Sequence, residues 1–261
     1  MEQPRSLKGR FPFSFGVPSY IIPADIAANV KWLRGLVDEI ELILFESEQF
    51  SNMPSPADIA LFRVLAEEAG LRYNVHLPLD IDIASLDPGA RRLSAETVQR
   101  VMDLTLPLDP TSFVLHVLKD EKAEPVRWKA VVRESLEALP RPHSQFAVET
   151  LAWDLREIDD ILRDLRFSVC LDIGHLLLRG DDVPSIFDLF SERIVMIHLH
   201  GVQAGKDHIA LARLGAAERA MIARTVRAAG YARSLSLEIF SREDFMSSLD
   251  VMEQMFGAGG G

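Results

Sequence analysis

Runs of apolar and β-branched residues recur along the chain, with stretches of helical periodicity between them. Eight runs read as strands, over 13–19, 39–46, 72–79, 112–117, 145–150, 167–172, 194–200 and 234–240. Several are almost continuously apolar, as in RIVMIHLHG (193–201). A strand with one wet face alternates apolar and polar residues. A continuous apolar run marks burial on both faces, the situation of a parallel sheet covered by helices. The intervening segments carry helix punctuation. Ser55-Pro56 supplies an N-cap and a first-turn proline for PADIALFRVLAEEAG (56–70), with Gly70 at the C-terminal cap. Asp154 can cap DLREIDDILRDLR, Ser241 can cap SREDFMSSLDVMEQMF, and the amphipathic stretch 216–229 stops at Gly230.

Strand–helix alternation repeated eight times predicts an α/β fold of the (β/α)8 TIM barrel type. An open doubly wound sheet is the competing architecture, but no Gly-rich phosphate loop follows the first strand. The 261 residues suit one barrel domain, with 1–10 and 257–261 expected as loose tails. Apolar residues make up 48% and charged residues 26%, the balance of a water-soluble globular enzyme. No apolar run approaches membrane-spanning length, and MEQPRSLKGR (1–10) lacks the core of a signal peptide. Cys170 is the single cysteine, so no disulfide framework exists. These features lead us to expect a cytoplasmic protein with no membrane partner. A net charge of −11 and the lack of a Lys/Arg cluster weigh against nucleic acid as partner and fit a carboxylate-rich site.

Active sites of such barrels form at the C-terminal ends of the strands. The third run ends in Asn74-Val75-His76, the fourth in Leu115-His116 and the fifth in Val148-Glu149-Thr150. The sixth ends in Cys170-Leu171-Asp172, with His175 three residues on; the seventh ends in His198-Leu199-His200. The eighth contains Leu237-Glu238-Ile239, and the second ends in Phe45-Glu46. Strand ends occupy roughly a tenth of such a barrel, so chance would place fewer than one of the seven histidines there. Four fall there. Carboxylates converging beside a core repel one another unless a cation stands between them. Mixed imidazole and carboxylate ligation suits Zn, Mn, Fe or Co, and argues against a thiolate zinc site or an all-oxygen Mg or Ca site. His200 shares its strand face with His198 and is expected to support a ligand or touch substrate. His143, in PRPHSQ (140–145), is expected at the surface, and Cys170 in the core.

This residue set resembles the xylose-isomerase-like barrel superfamily, which contains sugar isomerases, epimerases and abasic-site nucleases of the endonuclease IV type. The superfamily's metal set is Glu, Asp, His and Glu from strands five to eight. The resemblance therefore implies Glu149, Asp172, His198 and Glu238. His76 and His116 match the extra histidines of the nuclease branch, and Asp172-Ile173-Gly174-His175 matches its Asp-x-x-His pair. Lys206-Asp207-His208 resembles its last ligands, although the nuclease pattern is Asp-x-His and these two are adjacent. The nuclease's His-Leu-Asn-Asp is replaced here by His198-Leu199-His200-Gly201.

A narrower likeness spans nearly the whole chain. SYIIPADI (19–26), ELILFESEQFSN (41–52), HLPLD (76–80), CLDIGH (170–175), HLHGV (198–202) and KDHIAL (206–211) resemble the cobamide-remodelling phosphodiesterase family, CbiR. That resemblance implies metal-dependent hydrolysis of the nucleotide-loop phosphoester of cobamides, the vitamin B12 group, giving cobinamide phosphate and an α-riboside. The partner is then a small-molecule corrinoid. It also implies two or three divalent ions, Zn or Mn ahead of Fe or Co. On this reading His76, His116 and Glu149 hold one ion; Asp172, His198 and Glu238, with Glu149 bridging, hold another. His175 and His208, with Asp207, hold a third or contact the phosphate. Glu149, His175 and Glu238 form the catalytic set, and Tyr20, Glu46, Asp80 and His200 meet the substrate. The loops SEQFSNMPSP (47–56) and LDIDIASLDPGARRL (79–93) are long enough to shape an open pocket. The alternatives are a single-metal sugar isomerase or epimerase, with Glu149 and Glu238 as its acid–base pair, and an abasic-site nuclease with a basic groove.

Overall fold

The computed structural model describes residues 4–44 and 52–257. Eight parallel strands close into a barrel: β1 (Ser14–Pro18), β2 (Glu39–Ile43), β3 (Arg72–His76), β4 (Phe113–Leu115), β5 (Phe146–Glu149), β6 (Ser168–Asp172), β7 (Ile194–Leu199) and β10 (Ser234–Leu237). Each pairs with its neighbour in chain order, and β10 closes the ring against β1. Between β7 and β10 stands a small antiparallel hairpin, β8 (Gly201–Gln203) and β9 (Lys206–Ile209). All eight expected strands are present, shorter than the apolar runs. His116, His200 and Glu238 consequently sit just beyond strand ends rather than within them. The expected end of the second strand at Glu46 lies outside the described residues.

Helices cover the outside: α1 (Ile26–Leu33), α2 (Pro56–Ala69), α3 (Pro88–Thr105), α4 (Pro125–Glu137), α5 (Asp159–Leu165), α6 (Ile173–Arg179), α7 (Val183–Phe190), α8 (Ala216–Ala228) and α9 (Arg242–Phe256). Their ends follow the sequence punctuation. The Ser55 hydroxyl accepts from the Asp58 amide and the Asp58 carboxylate accepts from the Ser55 amide, closing a capping box; Gly70 ends α2 at φ 58°. Asp154 caps a 3-10 turn that leads into α5, and Ser241 caps α9. Asp172 caps α6 by accepting from the His175 amide at 2.7 Å. Among the described residues no helix is long and apolar enough to cross a membrane.

Most apolar burial lies between strands and helices, as in Phe62, Trp128, Phe187 and Phe245. The barrel lumen holds a separate small cluster, Val114, Ala147, Cys170 and Met196. Side chains alternate along a strand, so residues two apart share the inward face. Glu39, Glu41 and Ile43 lie on one face of β2, and Ser234 and Ser236 on one face of β10. At the floor Glu39 accepts from Asn74 at 2.9 Å, from Ser234 at 2.6 Å and from the Thr111 hydroxyl. After β1 the chain is stapled by Asn29. Its Oδ1 accepts from the Ile21 and Ile22 amides at 2.8 and 2.9 Å, and its Nδ2 donates to three carbonyls within 3.1 Å.

Two expectations are overturned. Residues 4–10 are no loose tail: Leu7 is fully buried, Arg5 and Arg10 pair with Glu253, and Lys8 donates to the carbonyls of Ala69 and Gly70. Lys8 thus satisfies carbonyls at the C-terminal end of α2, which lack helical partners, while the two arginines meet carboxylates on α9. His143 is buried rather than exposed. Its ring stacks on Phe167 at 4.8 Å, and its nitrogens lie 3.2 Å from the carbonyls of Leu165 and Leu139. Cys170 is in the core, as expected.

Candidate metal centre

Successive strand ends bring the expected ligands around one point at the barrel mouth. His76 ends β3, His116 follows β4 and Glu149 ends β5. The Nε2 atoms of His76 and His116 lie 3.3 and 2.9 Å from the same oxygen of Glu149, Oε2. His76 Nδ1 donates to the Leu77 carbonyl at 2.9 Å, which leaves Nε2 as its ligand atom.

The other oxygen of Glu149 faces a second group. Oε1 lies 3.4 Å from His175 Nδ1 and 3.7 Å from His198 Nδ1. His198 Nδ1 is also 2.9 Å from Glu238 Oε2 and 3.9 Å from Asp172 Oδ2. Potential ligand atoms of Glu149, Asp172, His198 and Glu238 all fall within 4.8 Å of one another. Among the described residues, His198 Nδ1 and Glu238 Oε2 are buried and find no hydrogen-bond partner. Two buried polar atoms facing each other without a hydrogen bond fit a divalent cation, which would satisfy both.

Sequence reasoning overlooked Glu41. This carboxylate is fully buried on β2, accepts from the Ser236 hydroxyl at 2.8 Å, and lies 3.0 Å from His198 Nε2. It therefore holds the proton on Nε2 and presents the Nδ1 lone pair to the centre. The available signal was a charged residue inside the apolar run ELILF (41–45), on the same strand parity as Glu39.

A third group gathers above α6. His175 Nδ1 donates to the Thr150 carbonyl at 3.1 Å and lies 3.2 Å from Asp172 Oδ2. His208, on β9 with φ 50°, places Nε2 3.4 Å from Glu238 Oε2 and Nδ1 3.2 Å from Asp207 Oδ1. Ligand atoms of Asp172, His175, His200 and His208 cluster within 4.8 Å. Asp207 is absent from that cluster. Asp207 instead flanks His208, its carboxylate meeting the ring at Nδ1. His200, expected to support a ligand or touch substrate, is drawn into this group. It is fully buried, with Nε2 3.1 Å from Asp172 Oδ1.

The electrostatics reflect this crowding. Burial opposes charge on His175, but a hydrogen bond to Glu149 and the fields of Asp172, Glu149 and Glu238 outweigh it and push the pKa up to about 10. Burial likewise opposes charge on His208, yet Glu238, Asp172 and Asp207 raise it to about 9. Against burial, His76 is raised by Glu149, Glu41 and Glu238, and His198 by Cys170 and then by Glu238, Glu41 and Glu149. Burial opposes ionisation of Glu149 and Glu238, but the surrounding imidazoles hold both well below the usual carboxylate range. The carboxylates demand positive charge, and the imidazoles meet that demand with protons.

A cavity of about 610 Å³ opens above the cluster. Its base is formed by His76, His116, Glu149, His175, His208 and Glu238, and its wall by Leu79, Leu118, Leu151, Leu178 and Phe240. Tyr20 and Asp80, expected to meet substrate, lie on rim loops but not in this wall, and Glu46 lies outside the described residues.

Solved structures of related architecture align along nearly the full chain. A D-tagatose 3-epimerase-like protein shares 17% identity over 93% of this chain and 97% of its own, with a TM-score of 0.75. Endonuclease IV from Thermus thermophilus shares 19% over 93% and 98%, with a TM-score of 0.70. The 3-keto-D-glucoside 4-epimerase from E. coli shares 12% over 93% and 98%, with a TM-score of 0.71. At such identities the likeness speaks for the fold alone. No curated protein matches the sequence significantly. Residues 34–255 match the family model described as xylose isomerase-like TIM barrel, and the chain belongs to that family.

Proposed function

We propose that the protein is a metal-dependent phosphodiesterase that hydrolyses the nucleotide-loop phosphoester of cobamides, releasing cobinamide phosphate and an α-riboside. The double orientation of Glu149 carries this reading: Oε2 faces His76 and His116, and Oε1 faces His175 and His198. A carboxylate placed in this way can bridge two ions, and paired ions recur in displacement at phosphorus. A single-ion isomerase would leave His76 and His116 without a task. His76, His116 and Glu149 would hold one ion, and Glu149, Asp172, His198 and Glu238 the other, with Zn or Mn ahead of Fe or Co. His175 and His208 border a third position or the phosphate.

Divalent ions bound there supply Lewis-acid activation of water and neutralise charge at phosphorus. In the overall step water adds to phosphorus, the bond from phosphorus to the ribose oxygen breaks, and that oxygen takes up a proton. Glu149 and Glu238 remain ionised at neutral pH and fix the reacting centre. His175 lies at the cavity base, where it can meet a phosphoryl oxygen.

The wall supports a bulky, partly apolar substrate. Leu79, Leu118, Leu178 and Phe240 are each more than a third exposed, and all four line the cavity. Apolar side chains clustered at a mouth mark a binding surface. A small sugar has little use for them. The endonuclease IV likeness raises a DNA reading, but Arg179 is the one Lys or Arg lining the cavity among the described residues, and Asp181 pairs with it at 2.9 Å. Backbone phosphates call for several free cations.

The test is incubation of the purified protein with adenosylcobalamin, with and without a chelator, and mass analysis of the products. Cobinamide phosphate plus α-ribazole, suppressed by the chelator, supports the reading. Intact cobamide in the presence of Mn, Zn, Fe and Co refutes it. Turnover of a ketose with one ion per chain would instead favour the epimerase reading.

A further inference from the structure

We infer that His200 is a positioning residue: it aims Asp172 and ties that carboxylate to the β8–β9 hairpin, without itself binding an ion. This inference rests on the proposed metal role of Asp172. His200 Nδ1 lies 3.0 Å from the backbone amide of His208. A backbone amide can only donate, so Nδ1 presents its lone pair there, and the ring hydrogen sits on Nε2. The Gly201 carbonyl, 3.3 Å from Nδ1, is the weaker contact and cannot take that role. Nε2 then donates to the Asp172 carboxylate, 3.1 Å from Oδ1 and 3.3 Å from Oδ2. Both ring nitrogens are committed, and neither is left for a cation.

The consequence falls on Asp172. Its Oδ1 accepts from the His175 amide at 2.7 Å as well as from His200. With Oδ1 taken by two donors, Oδ2 is the oxygen turned toward His175 and His198. The His175 amide, which donates to Oδ1, thus sets which oxygen of Asp172 faces the centre, and His200 holds the carboxylate in that orientation.

The seat of the imidazole is built into the backbone. A Cβ on Gly174 would fall 2.0 Å from His200 Cε1 and 2.4 Å from both ring nitrogens. The ring therefore lies against the bare Cα of α6. On its other face it stacks on His208, with centroids 4.1 Å apart and planes at 17°. His208 supplies both the amide that sets the tautomer and the ring that closes the seat. A Cβ on Gly201 would fall 2.0 Å from the Ala210 carbonyl oxygen, so the hairpin also closes without slack. Seating of the hairpin and geometry of Asp172 are one mechanical unit.

Long-range ¹⁵N–¹H NMR on chelator-treated protein should show His200 as the Nε2–H tautomer, and titration with Zn²⁺ should leave its nitrogen shifts free of metal-ligand values. A His200 nitrogen that moves to a ligated value would overturn the inference. Zn²⁺ affinity should fall 10- to 100-fold in His200→Ala and in Gly174→Ala, with the number of ions per chain unchanged at saturation. His200→Gln, which can still donate to Asp172, should stay within about threefold of wild type, whereas His200→Asn should behave like Ala. Loss of one ion in His200→Ala, or wild-type affinity in both Ala variants, would overturn it. Should Gly174→Ala fail to fold, the Gln and Asn pair decides. A wild-type protein that takes up no Zn²⁺ would defeat the metal reading of Asp172, while the tautomer measured without metal judges His200 separately.

Discussion

The carboxylate of Glu41 lies 3.0 Å from Nε2 of His198, inside the barrel and on the side away from the mouth. It fixes the tautomer of a candidate ligand from a strand that contributes no ligand of its own. Glu41→Gln keeps an acceptor but removes the charge. Metal affinity should fall about 10-fold in this variant and towards about 100-fold in Glu41→Ala, measured by competition with a chromophoric chelator. Unchanged affinity in the Ala variant would show that His198 needs no such partner.

Glu149→Gln should abolish phosphodiester turnover and lower the number of ions bound per chain. The far-ultraviolet circular dichroism should stay that of the wild type. Among the described residues, Glu149 is the one whose two oxygens face both the His76–His116 pair and His198. Wild-type turnover in this variant would exclude a bridging role.

The raised imidazoles make the chelator-treated protein sensitive to alkali. His175 rises from 6.5 to about 10 and His208 from 6.5 to about 9, so the folded chain binds protons that the unfolded chain releases. That stabilisation is complete below about pH 6.5 and is lost as pH rises through about 9 to 10. The lowered Glu149 and Glu238 contribute above 4.5 and stay constant across this window. Thermal unfolding without metal should therefore show a falling Tm from pH 7 to 10. Zn²⁺ should displace these protons, with release seen by calorimetry in buffers of different ionisation enthalpy. A flat Tm together with absent proton release would contradict the charge assignment.

Leu118 and Leu178 are each 39% exposed at the cavity wall. Replacing either by Ser removes roughly 1–2 kcal/mol of apolar contact with a bulky substrate. KM for a cobamide should rise about 5- to 30-fold with kcat little changed. An unaltered KM would indicate that the substrate does not touch this wall.

Asn29→Ala removes five hydrogen bonds that stitch the turn after β1. The buried amides and carbonyls it leaves should lower stability by about 2–3 kcal/mol, or roughly 4–12 °C in Tm. A smaller shift in a calorimetric scan would mean that water replaces the side chain.

The barrel was legible because strands buried on both faces read as continuous apolar runs, and the ligands were legible because they terminate those runs. Glu41 escaped because an inward charge inside ELILF looks, without the strand parity, like any rim carboxylate. The β8–β9 hairpin escaped because Gly201-Val202-Gln203 and Lys206–Ile209 are too short and polar to stand out. Asp207 was grouped with His208 on sequence adjacency; in the fold its carboxylate meets the His208 ring but stands outside the third ligand group. His143 was misplaced because a Pro-rich segment reads as solvent-facing, and only the fold supplies the two carbonyls that receive its ring.

The lumen also separates what can be redesigned from what cannot. Glu39 and its partners Asn74, Ser234 and Thr111 occupy the floor below the ligands. Well-packed apolar sets often replace buried polar clusters at no loss, and gains of about 1–4 kcal/mol are known when the cluster is ionic. The floor is therefore the place to engineer a thermostable variant. The layer above it must keep Glu41, since any gain in heat tolerance there would be taken from the ligand it aims.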